Sequence, residues 1–524
     1  MFRNEAFTDF TIAANRSAFQ SALNEVDQAI RGGKLHAEPI IAGKALTTSA
    51  IISAVDPSSN SPIGKVYFAG EPETETALKS VAGGQKAWAR TPFTKRAEII
   101  RACGTILRQK RLYLAAIMVR EAGKPWKEAD ADVCEAIDFC DYYADEMLRL
   151  GPPQRTQNVM GEDNIYLYQE RGVAAVIAPW NFPLAIACGM TCAALVTGNS
   201  TILKPSEQTN LIGAELARAL LQAGVPADAF AYLPGHGEVV GRKLVNDLRV
   251  DVICFTGSKT VGLEIIARGA TVAPGQHNIK KVVAEMGGKN AIIVDEDADL
   301  DEAVKGVIYS AFGFSGQKCS ACSRVIAVGS AYETFVTRLC DAAADILVGP
   351  ASDSSVLIGP VISEEARDRI LASIEAAEKR NKLAFKGKTP AQGFFVPPTI
   401  FRDVPTDSPL WKNEIFGPVL ACAKAETFDD AIRMAIESEY KLTGGLFSRS
   451  PANIAKAREE FRVGNLYVNR GCTGAIVCRQ PFGGFGMSGV GSKAGGPDYL
   501  LQFLEPRTIS ENTLRRGFAP ELPS

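Results

Sequence analysis

Val173-Ala174-Ala175-Val176-Ile177-Ala178-Pro179-Trp180-Asn181-Phe182-Pro183 is the stretch on which the fold of this chain turns. An apolar run stops at a turn holding two prolines. Residues 184–196 then follow a helical period, and residues 201–203 are apolar again. This is a β-α-β unit of about the minimum length. The apolar stretch is broken by Pro179, Asn181 and Pro183, so it reads as buried strand, turn and helix and not as a membrane span. The alternation continues downstream. Helices are expected over 210–223, 238–245 and 261–268, and strands over 230–233, 250–255 and 281–284. Alternating elements of this kind imply a mostly parallel, doubly wound sheet. A second α/β series follows Glu285, with a strand over 291–294, a helix over 300–312 and a strand over 325–328, and continues to about Phe482.

Upstream, residues 73–149 are helical in pattern. One helix ends near Arg90, a second runs over 95–122 and a third over 125–150, with Gly123-Lys124-Pro125 punctuating the last two. Residues 1–60 are of mixed composition and show no clear period. Gly151-Pro152-Pro153 opens a polar segment that closes on Asn164-Ile165-Tyr166-Leu167-Tyr168-Gln169, which alternates like a strand. It reads as a flap, and the tail over residues 501–509 is expected to pair with it as a strand.

A chain of 524 residues exceeds one ordinary core, so two or more lobes are expected. A net charge of −2 argues against nucleic acid as the main partner. Three histidines, His36, His236 and His277, lie at no metal-ligand spacing, so no metal site is expected. Twelve cysteines in so long a chain are not a disulfide framework. Several, including Cys103, Cys188 and Cys192, sit in apolar patterns as small hydrophobes, which suits a reducing compartment. The first residues lack an apolar core and carry an acid, so no leader is expected and a cytoplasmic location is.

Two strand-to-helix turns suit a dinucleotide phosphate. One is Phe255-Thr256-Gly257-Ser258, where free N–H groups and the helix dipole favour an anion. The other, Gly235-His236-Gly237-Glu238-Val239-Val240-Gly241, is by itself only a tight turn, but beside the first it points to binding. Glu207 lies past a strand end, where an acid bonds a ribose 2′-OH and repels a 2′-phosphate, favouring NAD over NADP. Lys204, at the same strand end, is within reach of ribose hydroxyls.

Cys319, in Phe314-Ser315-Gly316-Gln317-Lys318-Cys319-Ser320, sits among small and polar residues. A cysteine thiolate is intrinsically very nucleophilic. Its attack on an aldehyde makes an alkoxide, for which the Asn181 side chain and the Cys319 backbone N–H are candidate donors. Hydride loss to NAD leaves a thioester, and Glu285, before two glycines, is the candidate base that activates water to cleave it. Cys319 and Cys322 also form a C-x-x-C, which alone suggests thiol–disulfide exchange.

From about Glu73 to Glu505 the chain resembles the aldehyde dehydrogenase superfamily. Residues 179–183, 204–207, 255–258, 285–289, 316–319 and Glu414-Ile415-Phe416-Gly417-Pro418 fall in the family's order. The resemblance implies an aldehyde dehydrogenase-like fold with three parts. These are an NAD-binding domain over 1–150 and 171–285, a catalytic domain over 286–486, and a β-flap with C-terminal tail for oligomerisation over 151–170 and 487–524. It implies that NAD lies along Ile177, Pro179, Trp180, Lys204, Ser206, Glu207 and Gly237, then Thr256, Gly257 and Ser258, with Glu414 on the nicotinamide ribose and Phe416 packing against the cofactor. It also implies a homo-oligomer, at least a dimer.

Three further stretches, 318–324, 469–475 and 491–499, are similar to those of the subfamily that oxidises L-glutamate γ-semialdehyde to L-glutamate with NAD in proline catabolism. This implies that Lys318, Ser320 and the backbone of Gly474 and Ala475 meet the α-carboxylate end, that Glu135 meets the α-ammonium, and that Phe182 and Phe482 sandwich the aliphatic chain. Small residues let N–H groups approach an anion closely. A separate proline dehydrogenase is then expected as pathway partner. Cys478 stands where that subfamily has glycine. Rival readings are a dehydrogenase of another semialdehyde such as succinate semialdehyde, acyl transfer to coenzyme A, a non-catalytic aldehyde dehydrogenase-like binding protein, and a thiol-redox protein. Glu135 and Gly474-Ala475 argue against the first, Glu285 against the second, and the joint presence of Cys319, Asn181 and Glu285 against the third.

Overall fold

The computed structural model describes residues 2–157 and 159–514; residue 158 of the expected flap and residues 515–524 of the expected tail lie outside the described residues. The first sheet has eight strands, in the order Gly489–Val490, Lys281–Glu285, Val250–Thr256, Val173–Ile177, Ser200–Lys204, Phe230–Tyr232, Ile40–Ile41, Lys44–Ala45. The five from Lys281–Glu285 to Phe230–Tyr232 are parallel, as expected. From Val173–Ile177 the chain steps outward through Ser200–Lys204 and Phe230–Tyr232. It then returns to pair Val250–Thr256 on the opposite flank. The order therefore reverses between Ile177 and Phe255, which are register partners. In doubly wound sheets a ligand crevice opens at that point, beyond the carboxyl ends of the strands.

The second sheet has seven strands, in the order Lys382–Lys386, Thr399–Arg402, Val419–Ala425, Cys322–Val328, Asn290–Val294, Thr443–Phe447, Asn465–Val468. Only the first of them runs antiparallel to its neighbour. Its central strands are buried throughout and read as continuous apolar runs. A third sheet pairs Leu504–Asn512 with Glu162–Glu170 over nine register partners, the pairing expected of tail and flap.

The helix expected over 95–122 is two helices, Phe93–Gln109 and Arg111–Ala122, parting at Lys110. No glycine or proline marks the break. A tertiary contact sets it: the Arg111 guanidinium forks onto Asp130 at 2.7 and 2.7 Å, pinning the second helix to Trp126–Leu150. The helix expected over 238–245 opens as a wider π turn, Gly237–Gly241, before Arg242–Asn246. Residues 1–60, unreadable as sequence, contain a helix, Ala13–Arg31, that buries Phe19, Leu23 and Val26.

Cys140, Cys188 and Cys192 bring their thiols within 3.5–3.7 Å of one another, fully buried between helices. A metal held there by thiolates would leave net negative charge in an apolar layer. The cluster is read as core packing. Among the described residues no helix is long and apolar enough to cross a membrane.

Candidate active site

The nucleophile loop begins where the helix Leu300–Phe312 meets Gly313. Phe314, Ser315 and Gly316 follow with φ of 51°, 57° and 67°. Two non-glycine residues in the left-handed region cost about 1–3 kcal/mol each and persist only where surroundings over-determine them. Here they do. Ser315 Oγ donates to Gly359 O at 2.7 Å, the Ile362 N–H reaches Gln317 Oε1 at 2.9 Å, and a Cβ on Gly316 would stand 2.4 Å from Gly417 O. Asn290 Nδ2 donates to the carbonyls of Cys319 at 2.7 Å and Ala321 at 2.9 Å, while its Oδ1 accepts from Thr443 N–H at 3.0 Å. The loop is thus tied to three other segments, leaving Cys319 half-buried at its tip. Cys322 is buried and bonds Arg324 O and the Cys472 thiol. All twelve cysteines are free. Nothing pairs Cys319 with Cys322, and the thiol-redox reading finds no support.

Asn181 is buried. Its carbonyl accepts from Lys124 Nζ at 2.7 Å, and Lys124 also pairs with Asp132 at 2.7 Å. Its side-chain Nδ2 donates to Gln317 O at 3.1 Å, two residues before Cys319. A carboxamide has two N–H donors, so one remains. Burial pushes the Cys319 thiol well above its usual value, and the negative charges of Glu285 and Glu414 push it further. The N–H groups of Ser320 and Cys319 pull it down. Glu285 ends the strand Lys281–Glu285, and burial pushes its carboxyl up to about 8 against the Lys493 cation and the Gly484 N–H. Its Oε2 is buried without a hydrogen-bond partner. The structure therefore gathers Cys319, Asn181 and Glu285 at one place.

Most of the residues expected along NAD follow the carboxyl ends of the first sheet's strands. Ile177 is paired with both Phe255 and Lys204 at the strand ends. Ser258 caps the helix Lys259–Gly269, its Oγ accepting from Val261 N–H. No described residue accepts from the N–H groups of Lys259 and Thr260 ahead of it, which suits a phosphate at the switch point. Thr256 Oγ1 contacts Met190 Sδ at 3.6 Å, and the Gly257 N–H bonds Glu285 O at 3.1 Å. Glu207 reaches the glycine turn: Oε1 accepts from Gly237 N–H at 2.8 Å and Oε2 lies 2.9 Å from His236 Nδ1. Lys204 is buried, which pulls its ammonium down to about 8, and Nζ donates to Pro205 O. Ser206 Oγ bonds Gln208 at 2.6 Å. Beyond Pro179, the Trp180 ring meets Phe416 edge to face at 5.5 Å. Glu414 accepts from Gly288 N–H at 2.8 Å, and a Cβ on Gly287 would stand 2.1 Å from its Oε2. Orphan helix donors, an acid at the ribose position and an aromatic end wall fit a dinucleotide.

On the other side of Cys319, Ser320 Oγ bonds Thr473 Oγ1 at 2.8 Å, joining the nucleophile loop to the segment holding Gly474 and Ala475. Gly474 has φ 78° and open space where a Cβ would project. No described residue accepts from the Ala475 N–H. Glu135 is half-buried with its carboxyl pushed up to about 8, first by burial and then by Asp132, while Lys124 and Lys318 pull it down. The Phe182 ring carries the Lys124 ammonium at 4.1 Å. Phe482 exchanges both backbone bonds with Ala494 at 2.9 and 2.7 Å. Lys318, expected to meet substrate, has its ammonium 2.7 Å from the buried carboxylate of Glu128 and over the Tyr309 ring. Sequence reasoning missed Lys124, Asn290 and Lys493, whose links to Asn181, Cys319 and Glu285 span distant parts of the chain. Gly123-Lys124-Pro125 was legible only as punctuation.

The aldehyde dehydrogenase family model matches residues 45–509. The 1-pyrroline-5-carboxylate dehydrogenase of Geobacillus sp. (strain WCH70) is 47% identical over 97% of this chain and 99% of its own. A crystal structure of 1-pyrroline-5-carboxylate dehydrogenase from Thermus with bound NAD superposes with a TM-score of 0.95, at 41% identity over 98% of this chain and 99% of that one. Proline utilization A from Bdellovibrio bacteriovorus gives a TM-score of 0.97 at 50% identity; all of this chain corresponds to 54% of that longer one.

Proposed function

The chain belongs to the aldehyde dehydrogenase family, and from that premise we infer that it oxidises L-glutamate γ-semialdehyde to L-glutamate with reduction of NAD. The observation that carries the assignment is the meeting of three groups. A half-buried thiol sits on an over-tied loop, a carboxamide has one N–H to spare, and a buried carboxyl has an unpartnered oxygen.

Cys319 Sγ adds to the aldehyde carbon, and its proton leaves to solvent. The resting thiol is neutral, since burial and two nearby carboxyls disfavour the thiolate. The N–H groups of Cys319 and Ser320 offset part of that cost. The remaining Asn181 N–H and the Cys319 N–H stabilise the oxyanion, an effect typically worth about 10²–10³ in rate per donor. When bound, NAD accepts the hydride that leaves the tetrahedral carbon, and a thioester to Cys319 remains. Ile177, Pro179, Trp180, Lys204, Ser206, Glu207, Gly237, the 256–258 turn, Glu414 and Phe416 would hold the cofactor. Glu285 takes a proton from water, the hydroxide adds to the thioester carbon, the C–S bond breaks with Cys319 leaving as a thiolate that regains the proton from Glu285, and glutamate is released.

The head group has a matching site. Ser320 with the Gly474 and Ala475 backbone receives the α-carboxylate, and Lys318, neutralised by Glu128, borders that side. Glu135, pushed up to about 8 by burial, ionises against the α-ammonium, since an opposite charge favours the charged form. Phe182 and Phe482 flank the chain between. Succinate semialdehyde would leave Glu135 without its partner. We also assign the sheet of tail and flap to homo-oligomer formation and place proline oxidation on a separate dehydrogenase.

Pre-steady-state kinetics tests the mechanism. Glu285→Gln is expected to give a full burst of NADH and then stall at the thioester. Wild-type turnover is expected to rise with pH through about 8, because the base acts deprotonated. Unchanged steady turnover in Glu285→Gln removes Glu285 from this role. Faster oxidation of short aliphatic aldehydes than of the semialdehyde overturns the substrate assignment.

A further inference from the structure

Lys493 lies between the strand Gly489–Val490 and the turn Leu500–Phe503. Its half-buried ammonium has three N–H groups and faces four oxygens: Gly464 O at 2.6 Å, Asn465 Oδ1 at 2.8 Å, Gly483 O at 3.0 Å and Pro481 O at 3.4 Å. Asn465 completes the tie, donating to Pro481 O at 2.9 Å and accepting from Gly483 N–H at 3.4 Å. With Ala494 bonded to Phe482 in both directions, residues 481–483 are held by the side chain of one residue and the backbone of the next. Glu285 and Lys493 both border Gly483 where a side chain would project: a Cβ there would stand 2.9 Å from Glu285 Oε1 and 3.4 Å from Lys493 Cα, so only glycine fits between that backbone and the two residues.

The titratable groups that feel Glu285 are Lys493, the Cys319 and Cys254 thiols and the Tyr499 hydroxyl. Lys493 alone among them is a cation, and it draws the Glu285 carboxyl down against burial. We propose that Lys493 is a positioning residue for thioester hydrolysis: one ammonium seats Phe482 on the substrate chain, fixes Gly483 against Glu285, and supplies the positive charge that keeps the Glu285 carboxylate available. The proposal rests on Glu285 being the water-activating base. It concerns the second half-reaction, because none of the ammonium's four acceptors belongs to the nucleophile loop.

The test compares Lys493→Met, Lys493→Gln and Lys493→Arg in the full chain, with Glu285→Gln as control. The readouts are NADH burst amplitude, steady-state rate and the pH midpoint of steady turnover. Removing the charge is expected to leave the burst intact and to move the midpoint about one unit alkaline. Below that midpoint, steady turnover then falls about tenfold, since each unit is a factor of ten in available base. Lys493→Gln keeps N–H donors for the carbonyl oxygens without the charge, so it carries the same expectation if Lys493→Met does not fold. Lys493→Arg is expected to retain the midpoint and, with a wider donor fork, to raise KM through a displaced Phe482. A midpoint unmoved in Lys493→Gln overturns the proposal, as does a burst that falls in parallel with turnover. Undiminished turnover in Glu285→Gln instead overturns the assignment of the base, and the proposal for Lys493 falls with it.

Discussion

The nucleophile loop and the flap use the same chain in opposite ways. Residues 313–322 are buried apart from Cys319, and their polar groups are spoken for by Gly359, Ile362, Asn290 and Asn181. The tail strand Leu504–Asn512 is exposed along eight of its nine residues, although it is paired to the flap at every one of them. The loop spends backbone strain and buried hydrogen bonds to hold a single sulfur in place. The flap obtains regular geometry from a ladder and leaves both faces uncovered. Chemistry needs a few atoms held from several directions, whereas a surface proposed to meet another copy needs only a stable, extended shape.

Three changes break or sharpen that contrast. The largest effect belongs to the loop's partner. Asn181→Ala removes the one spare N–H and the tie to Gln317 O, and turnover is expected to fall about 10²–10³-fold. Alkylation of Cys319 by iodoacetamide is expected to continue, because Asn290 still holds the loop. Loss of alkylation together with turnover would mean that Asn181 supports the loop and not the oxyanion. Deleting the chain from residue 505 onward is a milder change. Sedimentation is expected to show the assembly dissociating, while turnover per site changes less than about tenfold, under ~1.4 kcal/mol in the barrier. A subunit that loses all activity on dissociation would tie the flap to the site. The smallest effect is at Cys478, which adopts φ 67° in the segment leading to Phe482. A non-glycine residue in that region costs about 1–2 kcal/mol, partly offset by the chain entropy of glycine. Cys478→Gly is expected to raise stability by roughly 0.5–1 kcal/mol in a urea titration. A loss of stability would mean the thiol makes contacts that outweigh the strain. The expectation of glycine at this position thus meets a backbone that glycine would fit.

Legibility in the sequence followed the range of the cause. The parallel strands from Val173–Ile177 to Lys281–Glu285 were readable because apolar runs and helical periods are local. The pairing of tail with flap was readable because residues 164–169 alternate like a strand that needs a partner. The break at Lys110 was not, since it follows from Arg111 gripping Asp130 on another helix, with no glycine or proline to mark it. The helix Ala13–Arg31 was missed because its apolar stripe is narrow: Phe19, Leu23, Val26 and Ile30 among alanines and polar residues. Within the site, Cys319, Asn181 and Glu285 stood out by residue type beside glycine-bearing turns. Lys318 stood out by adjacency alone, and its ammonium turned out to be paired with Glu128.

By itself the sequence determined the order of strands and helices in the two α/β series and which side chains offer a thiol, an amide and a carboxyl beside glycine-bearing turns. Only the tertiary structure decided how those side chains are held and charged: that Lys124 grips the Asn181 carbonyl, that Asn290 grips that of Cys319, and that Lys493 and Glu285 both border Gly483. The physical reason is that periodicity and turn chemistry act between residues close in the chain. The acidity of a buried group depends instead on whatever distant charges and dipoles packing brings to it once water has been excluded.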